Sequence, residues 1–339
     1  MSSSAARDFV RWTGKALLWL VLALLALAVA GAIYQAIATE RAERAYPPPG
    51  EMVDVGGYSL HINCVGQGSP TVVLDAGSGE MSADWVRVQR KVSPTTRVCA
   101  YDRAGMGWSE IGPDPRDAEQ ITGELHTLLG KAGIEGPYVL VGHSLGGMYM
   151  QTYAHRYTEE VAGVVLVDSS TEPDQFSQRP EARESNEPQK RTLAVVPRLA
   201  QLGVSLLARV GVVRLVSKLD PASPELPPQQ RAQIDALAPS TRQVSTYAGE
   251  FFAPTQTHRL GSTGSLGNKP LAVVSAGTQE PGWLERQDKL ATLSSNSMHR
   301  VVKGATHTSL LYDRSDAQAT SAAIVEVVSA VRDDRQLAR

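Results

Sequence analysis

The chain has 339 residues, 42% of them hydrophobic and 20% charged, enough apolar material for one large, elaborated core. A net charge of −2 gives no basic face of the kind nucleic acid demands. No repeat of solenoid period is present.

In chain order, Arg7, Arg11 and Lys15 precede Ala16–Ile33, an uncharged apolar run of 18 residues. Tyr34–Ala38 extends it toward the ~20 residues that cross a bilayer. Basic residues before the run predict a cytoplasmic N-terminus and a body on the far side, periplasmic or extracellular. Arg41 and Arg44 after the run are interleaved with Glu40 and Glu43, so the charge signal is not clean. Ala36-Ile37-Ala38 has the A-x-A form of a cleavage site, so a signal cut near Ala38 and a secreted body is the alternative. The run is longer than the usual apolar region of a signal, about 7–15 residues. A buried core helix is a third reading. Pro47–Pro49 then reads as a short stiff spacer.

The body alternates strands and helices. Leu60–Val65, Thr71–Gly77 and Thr96–Gly105 are strand-like, and a helix is expected around Asp117–Lys131. "YVLVGHS" (Tyr138–Ser144) is a strand running into a helix, and Val161–Ser170 is the next strand. Pro270–Gly277 and His299–His307 follow much later. The end is helical, with Ser315 or Asp316 as N-cap. Val/Leu runs buried on both faces, interleaved with helices, predict an α/β fold with a mostly parallel sheet. Roughly 100 residues separate the last two strands from the others, with helical apolar pattern in "LAVVPRLAQLGVSLLARVGVVRLVSKL"; a structureless loop of that length is uncommon. The expected plan is residues 1–45 as tail and anchor, 46–169 as the first part of the core, 170–268 as a helical insertion, and 269–339 as the second part.

Gly142-His143-Ser144-Leu145-Gly146 fits G-x-S-x-G between a strand and a helix, the setting of a nucleophile elbow. Small residues on either side let the chain turn sharply and leave the serine hydroxyl clear. The helix N-terminus offers N–H groups to a developing oxyanion. A glycine-flanked turn serine without chemistry is the bland alternative. A serine needs a base, and His307, after the last strand and before the final helix, is best placed. His143 points elsewhere, His299 starts a strand, and His61, His126, His155 and His258 have no catalytic setting. Two acids can orient His307: Asp168, ending a Val-rich strand, or Glu280, after the next one. Asp168 is preferred, because an unpaired carboxylate there would be costly. The Leu145 N–H should be one oxyanion donor. Ala76–Gly79 can supply the second, with Ser78 N–H preferred over Gly79 N–H; an ordinary glycine turn is the alternative.

The chain resembles the α/β-hydrolase superfamily, and among its members bacterial ones with an N-terminal membrane segment. "YPPPG…VDVGG…L" and "CAYDRAGMGWS" carry the resemblance, with Asp102, Arg103, Gly105, Gly107 and Ser109 matching D-R-x-G-x-G-x-S. It covers about Tyr46–Ser169 and Lys269–Arg339. It implies an α/β-hydrolase fold in which residues 170–268 form a helical cap, and makes the 99–109 loop structural, bordering the active site. The family's usual His-Gly at the oxyanion loop is Ala76-Gly77 here. The resemblance also makes the strands of Cys64 and Cys99 antiparallel neighbours, so a disulfide is possible; two buried thiols are the equal alternative.

Serine rather than aspartate at the elbow implies acyl chemistry on a small-molecule ester, thioester or amide. A carboxylesterase-type serine hydrolase is the first reading. A cofactor-free perhydrolase or acyltransferase is the second, and a non-catalytic binding protein on the same fold the third. No H-E-x-x-H, EF-hand loop, C-x-x-C or G-x-G-x-x-G occurs, so no metal or cofactor is expected. The oligomeric state is not legible.

Overall fold

The computed structural model describes residues 3–170, 187–219, 221, 225–252 and 264–337. Eight strands form one sheet: β1 (Glu51–Asp54), β2 (Ser59–Val65), β3 (Thr71–Asp75), β4 (Val98–Tyr101), β5 (Tyr138–His143), β6 (Val161–Val167), β7 (Leu271–Ala276) and β8 (Ser297–Val302). Their order is β1-β2-β4-β3-β5-β6-β7-β8. Pairings β1–β2 and β2–β4 are antiparallel and the remaining five are parallel.

The side-chain period of two sorts each central strand between two cores. Val72, Leu74, Val139, Val141, Val165 and Val167 face one side. There α2 (Val86–Val92) and the last helix pack. Val73, Leu140, Val164 and Leu166 face the other side, against α3 (Ala118–Lys131) and α4 (Leu145–Arg156). Helices on both faces explain why these strands read as unbroken apolar runs.

Between β6 and β7 lie α5 (Glu187–Arg209), α6 (Val212–Ser217), α7 (Pro228–Leu237) and α8 (Thr241–Phe252). The rest of the expected 170–268 insertion is partly outside the described residues, as is His258. After β7 come α9 (Pro281–Ala291), α10 (Ser309–Tyr312) and α11 (Asp316–Asp333).

Three sequence expectations are corrected. A first strand, β1, precedes the one expected at Leu60; its four residues are exposed or half-buried and carry little apolar signal. The last strand is Ser297–Val302, and the chain has left the sheet before His307. Ser315 is the N-cap of α11, as expected, though not through its side chain: Asp313 Oδ1 accepts from the Ser315 and Asp316 N–H groups. The proline spacer is docked: Trp108 Nε1 donates to Tyr46 O, and the His61 ring bonds Pro49 O.

The N-terminal helix α1 (Ser3–Ala45) is one element of 43 residues. Its Arg11–Ala45 part is long and apolar enough to cross a membrane. Its C-terminal end joins the body. Gln35 Nε2 donates to Pro239 O, and Arg214 donates to Gln35 Oε1 and Thr39 Oγ1. Ala42 is buried with Met81, Trp108 and Leu237.

Candidate active site

Ser144 stands between β5 and α4 with φ 51° and ψ −120°, a backbone strain of about 1–3 kcal/mol for a non-glycine residue. The surroundings enforce it. A side chain at Gly142 would strike Gly147, and one at Gly146 would strike the backbone of Asp75 and Ala76. Ser144 N–H donates to Val167 O at 3.0 Å and Ser170 N–H to Ser144 O at 2.9 Å. Leu145 is the first residue of α4, so its N–H lies at the positive end of that helix.

Asp168 follows β6 directly, with φ 42°. Its carboxylate is fully buried and fully satisfied. His307 Nδ1 meets Oδ2 at 2.7 Å and Gln279 Nε2 donates to Oδ2 at 2.6 Å. Trp283 Nε1 and Ala276 N–H donate to Oδ1 at 2.8 and 3.1 Å. Burial pushes the Asp168 pKa up, but these hydrogen bonds outweigh it and hold the carboxyl below its usual value. His307 is about a third exposed. Its Nδ1 is committed to the acid, which leaves Nε2 as the ring nitrogen open to a second partner. Glu280 is elsewhere: it is exposed, N-caps α9 through Gly282 N–H, and pairs with Arg286. No hydrogen bond from the Ser144 hydroxyl is present among the described residues; such contacts are often long until substrate arrives.

The 76–80 loop is fixed from behind. Arg103, itself buried, donates to Asp75 Oδ1, Ala76 O and Gly77 O at 2.6–2.9 Å. Glu250 on α8 takes the other side of the guanidinium. Gln243 Nε2 donates to Gly79 O, and a Cβ at Gly79, whose φ is +77°, would press on the Tyr247 ring. Ser78 lies in this loop, its hydroxyl buried without a partner among the described residues.

Several residues here escaped sequence reasoning. His143, expected to point elsewhere, sits 4.5 Å from His307 ring to ring. Its Nε2 donates to His307 O at 3.0 Å, and its Nδ1 meets Glu80 Oε2 at 2.9 Å. Glu80 also accepts from Gly77 N–H at 2.6 Å. Burial opposes charge on both groups, yet each favours the other's ion: His143 is raised and Glu80 lowered. The His143–Glu80 contact therefore ties the 76–80 loop to the His307 loop. An acid after Gly-Ser-Gly and a histidine inside the elbow are the only sequence signals for it. Similarly, Asp102, within the motif loop, pairs with His61 at 2.8 Å and accepts from Ser82 and Trp108 N–H.

Cys64 and Cys99 are register partners on β2 and β4 and form a disulfide, so the two-thiol alternative falls.

The family model for the alpha/beta hydrolase fold matches residues 70–310, and the chain belongs to that family. Among curated relatives, efuK of Hormonema carpetanum, named a probable transporter, is 36% identical over 129 residues, covering 36% of this chain and 18% of the relative. The chain spans less than half the length of the curated relatives it matches. Among solved structures, an esterase of Thermogutta terrifontis is similar at a TM-score of 0.59 and 20% identity, covering 83% of this chain and 98% of that one. A mutant epoxide hydrolase of Bacillus megaterium gives 0.61 at 16% identity, covering 82% and 100%. At these identities the structural likeness speaks to fold.

Proposed function

We infer that the protein is a serine hydrolase that cleaves a carboxylic ester, thioester or amide through an acyl-enzyme, with Ser144 as nucleophile, His307 as base and Asp168 as acid. The observation that carries it is the 2.7 Å His307–Asp168 contact, at the same end of the sheet as a strained serine opening a helix. In this reading His307 Nε2 takes the Ser144 proton as Oγ attacks the carbonyl carbon. The oxyanion is held by the N–H groups of Leu145 and Ser78. His307 then protonates the leaving group, and water activated by the same ring releases the acyl chain. Asp168 holds the tautomer and offsets the charge on the ring. Arg103 holds Ala76 O and Gly77 O, which supports a fixed position for the Ser78 N–H, and α5–α8 read as a cap over the loop.

A fluorophosphonate probe tests the assignment on the full chain. Labelling lost in Ser144→Ala, with hydrolysis of p-nitrophenyl esters lost in parallel, is the expected result. Labelling that survives the substitution overturns it. Products carrying the acyl group on an added alcohol or peroxide instead of water would point to acyl transfer.

A further inference from the structure

The surface between α1 and the site is apolar where a water-facing helix would be polar. On α5, Leu199, Leu202 and Leu206 lie at the i, i+3, i+7 spacing of one helix face, and all three are exposed, Leu202 at 66%. Leu215 and Val216 on α6 are exposed beside them in the chain, and Leu219, just past α6, is 86% exposed. The buried side of α5 is different: Ala208 is fully buried, and Gln201 meets Gly249 of α8. An amphipathic helix has therefore turned its leucines outward, in a cluster of the kind that marks an interaction surface.

The position of the cluster says what covers it. The α5–α6 turn rests on α1: a side chain at Gly31 would collide with the Val210 backbone, and Gly211 abuts the Tyr34 ring. Gly31 and Tyr34 stand at the C-terminal end of the exposed apolar stretch of α1. Ala16–Ile33 is about 27 Å long as a helix, close to the ~30 Å hydrocarbon core of a bilayer. A bilayer around that stretch thus ends at the level of the α5–α6 turn. Lys218 lies over the Tyr34 ring at 5.7 Å, an aromatic–basic pair suited to the headgroup boundary. Behind the leucines, α8 carries Gln243, Tyr247 and Glu250 onto the 76–80 loop and Arg103. The apolar face and the mouth of the site are two sides of one helix pair.

We propose that the exposed face of α5–α6 sits in the boundary of the same bilayer that α1 enters, and that the site takes acyl esters whose chains reside in that bilayer. The substrate half of this rests on the serine-hydrolase reading; the surface half does not. An amphipathic ester reaches Ser144 by sliding out along α5 and α8, its carbonyl leaving the membrane before its chain does.

Two measurements on the full chain in phosphatidylcholine vesicles test it. The first compares p-nitrophenyl palmitate held in the vesicles with water-soluble p-nitrophenyl acetate. The triple substitution Leu202→Ser, Leu206→Ser, Leu215→Ser should lower palmitate turnover about tenfold by weakening surface insertion, and leave acetate turnover within about twofold. Equal losses on both esters, or none on palmitate, overturn the substrate half. If wild type cleaves neither ester and Ser144 takes no fluorophosphonate, the substrate half falls together with the hydrolase reading. The second measurement is independent of activity. A nitroxide at Leu206→Cys should be relaxed more by oxygen than by an aqueous nickel chelate, whereas one at Val301→Cys on β8 should favour the chelate. Chelate access at Leu206 equal to that at Val301 overturns the surface half. So does spin–spin broadening at Leu206, which would mean that a second copy of the chain covers the face.

Discussion

At the scale of single residues, the choice between two acids is the sharpest consequence of the geometry. Asp168 holds His307, Gln279 and Trp283 around one buried carboxylate, whereas Glu280 caps a helix in solvent. Asp168→Asn should therefore lower kcat by roughly 10³–10⁴ with the fold retained. Glu280→Gln should cost less than about tenfold, under ~1.4 kcal/mol. A larger loss on Glu280→Gln would reassign the acid. The sequence offered both acids because strand ends can be read along the chain, while hydrogen-bond partners that arrive from α9 cannot. For the same reason Glu80 and His143 went unpaired: 63 positions separate them, and only the adjacency of β3 and β5 brings their loops together. Their shifts carry a pH signature. The depressed Glu80 contributes stability above its unfolded pKa and loses it as pH falls through the folded value. The raised His143 contributes below its unfolded value, near 6.5, and loses it as pH rises through the folded one. Glu80→Gln removes the carboxylate that partners a buried imidazole and should cost about 1–3 kcal/mol, with a flatter dependence of melting temperature on pH. Glu80→Gln/His143→Gln should recover part of that loss. Additive losses in the two single variants and the double would show the pair to be uncoupled.

At the scale of elements, the central strands were legible because burial on both faces leaves only apolar residues, and the elbow because its glycines have no other use. The edge was harder. β1 is short and half in water, and its existence depends on pairing with β2 rather than on its own composition. The disulfide reinforces this antiparallel side of the sheet, joining β2 to β4 across a sequence separation of 35. Loop-closure entropy for a bridge of that span is worth about 3–4 kcal/mol. Cys64→Ser/Cys99→Ser should lower stability by an amount of that order in denaturant titration. Ester turnover in the cold should stay within a few-fold, since Ser144, His307 and Asp168 are held by β5, β6 and the loop after β8. A midpoint unchanged from wild type would mean that the bridge constrains nothing that the sheet does not already fix. The insertion was visible only as a helical pattern. That its α8 reaches down to Arg103 through Glu250 could not be read from it, because an acid on a helix looks like an ordinary solvent-facing residue until its partner is known.

At the scale of the whole molecule, α1 and the body are one structure. A helix that merely tethered the domain would leave its polar residues to water. Here Gln35 is 3% exposed, bonded to both Pro239 and Arg214. Cleavage near Ala38 would strip Gln35 from the buried Arg214 guanidinium, which has Ala236 O and Thr39 as its other partners, at a cost of about 1–3 kcal/mol or more for an unsatisfied buried group. The geometry thus favours a chain that keeps α1. We propose that the body lies across a membrane from the N-terminus, and two independent arguments support it. Arg7, Arg11 and Lys15 precede the apolar run, which favours a cytoplasmic N-terminus. The Cys64–Cys99 bridge suits an oxidising compartment, which supports a body on the other side. A reporter fused after the C-terminus in a bacterial host should be active as alkaline phosphatase and silent as β-galactosidase. The membrane fraction should hold a species with the mass of the uncut chain. Active β-galactosidase would place the body in the cytoplasm and leave the disulfide without its oxidising surroundings. A soluble product beginning near Thr39 would show that the contacts of Gln35 are dispensable and that α1 is a leader.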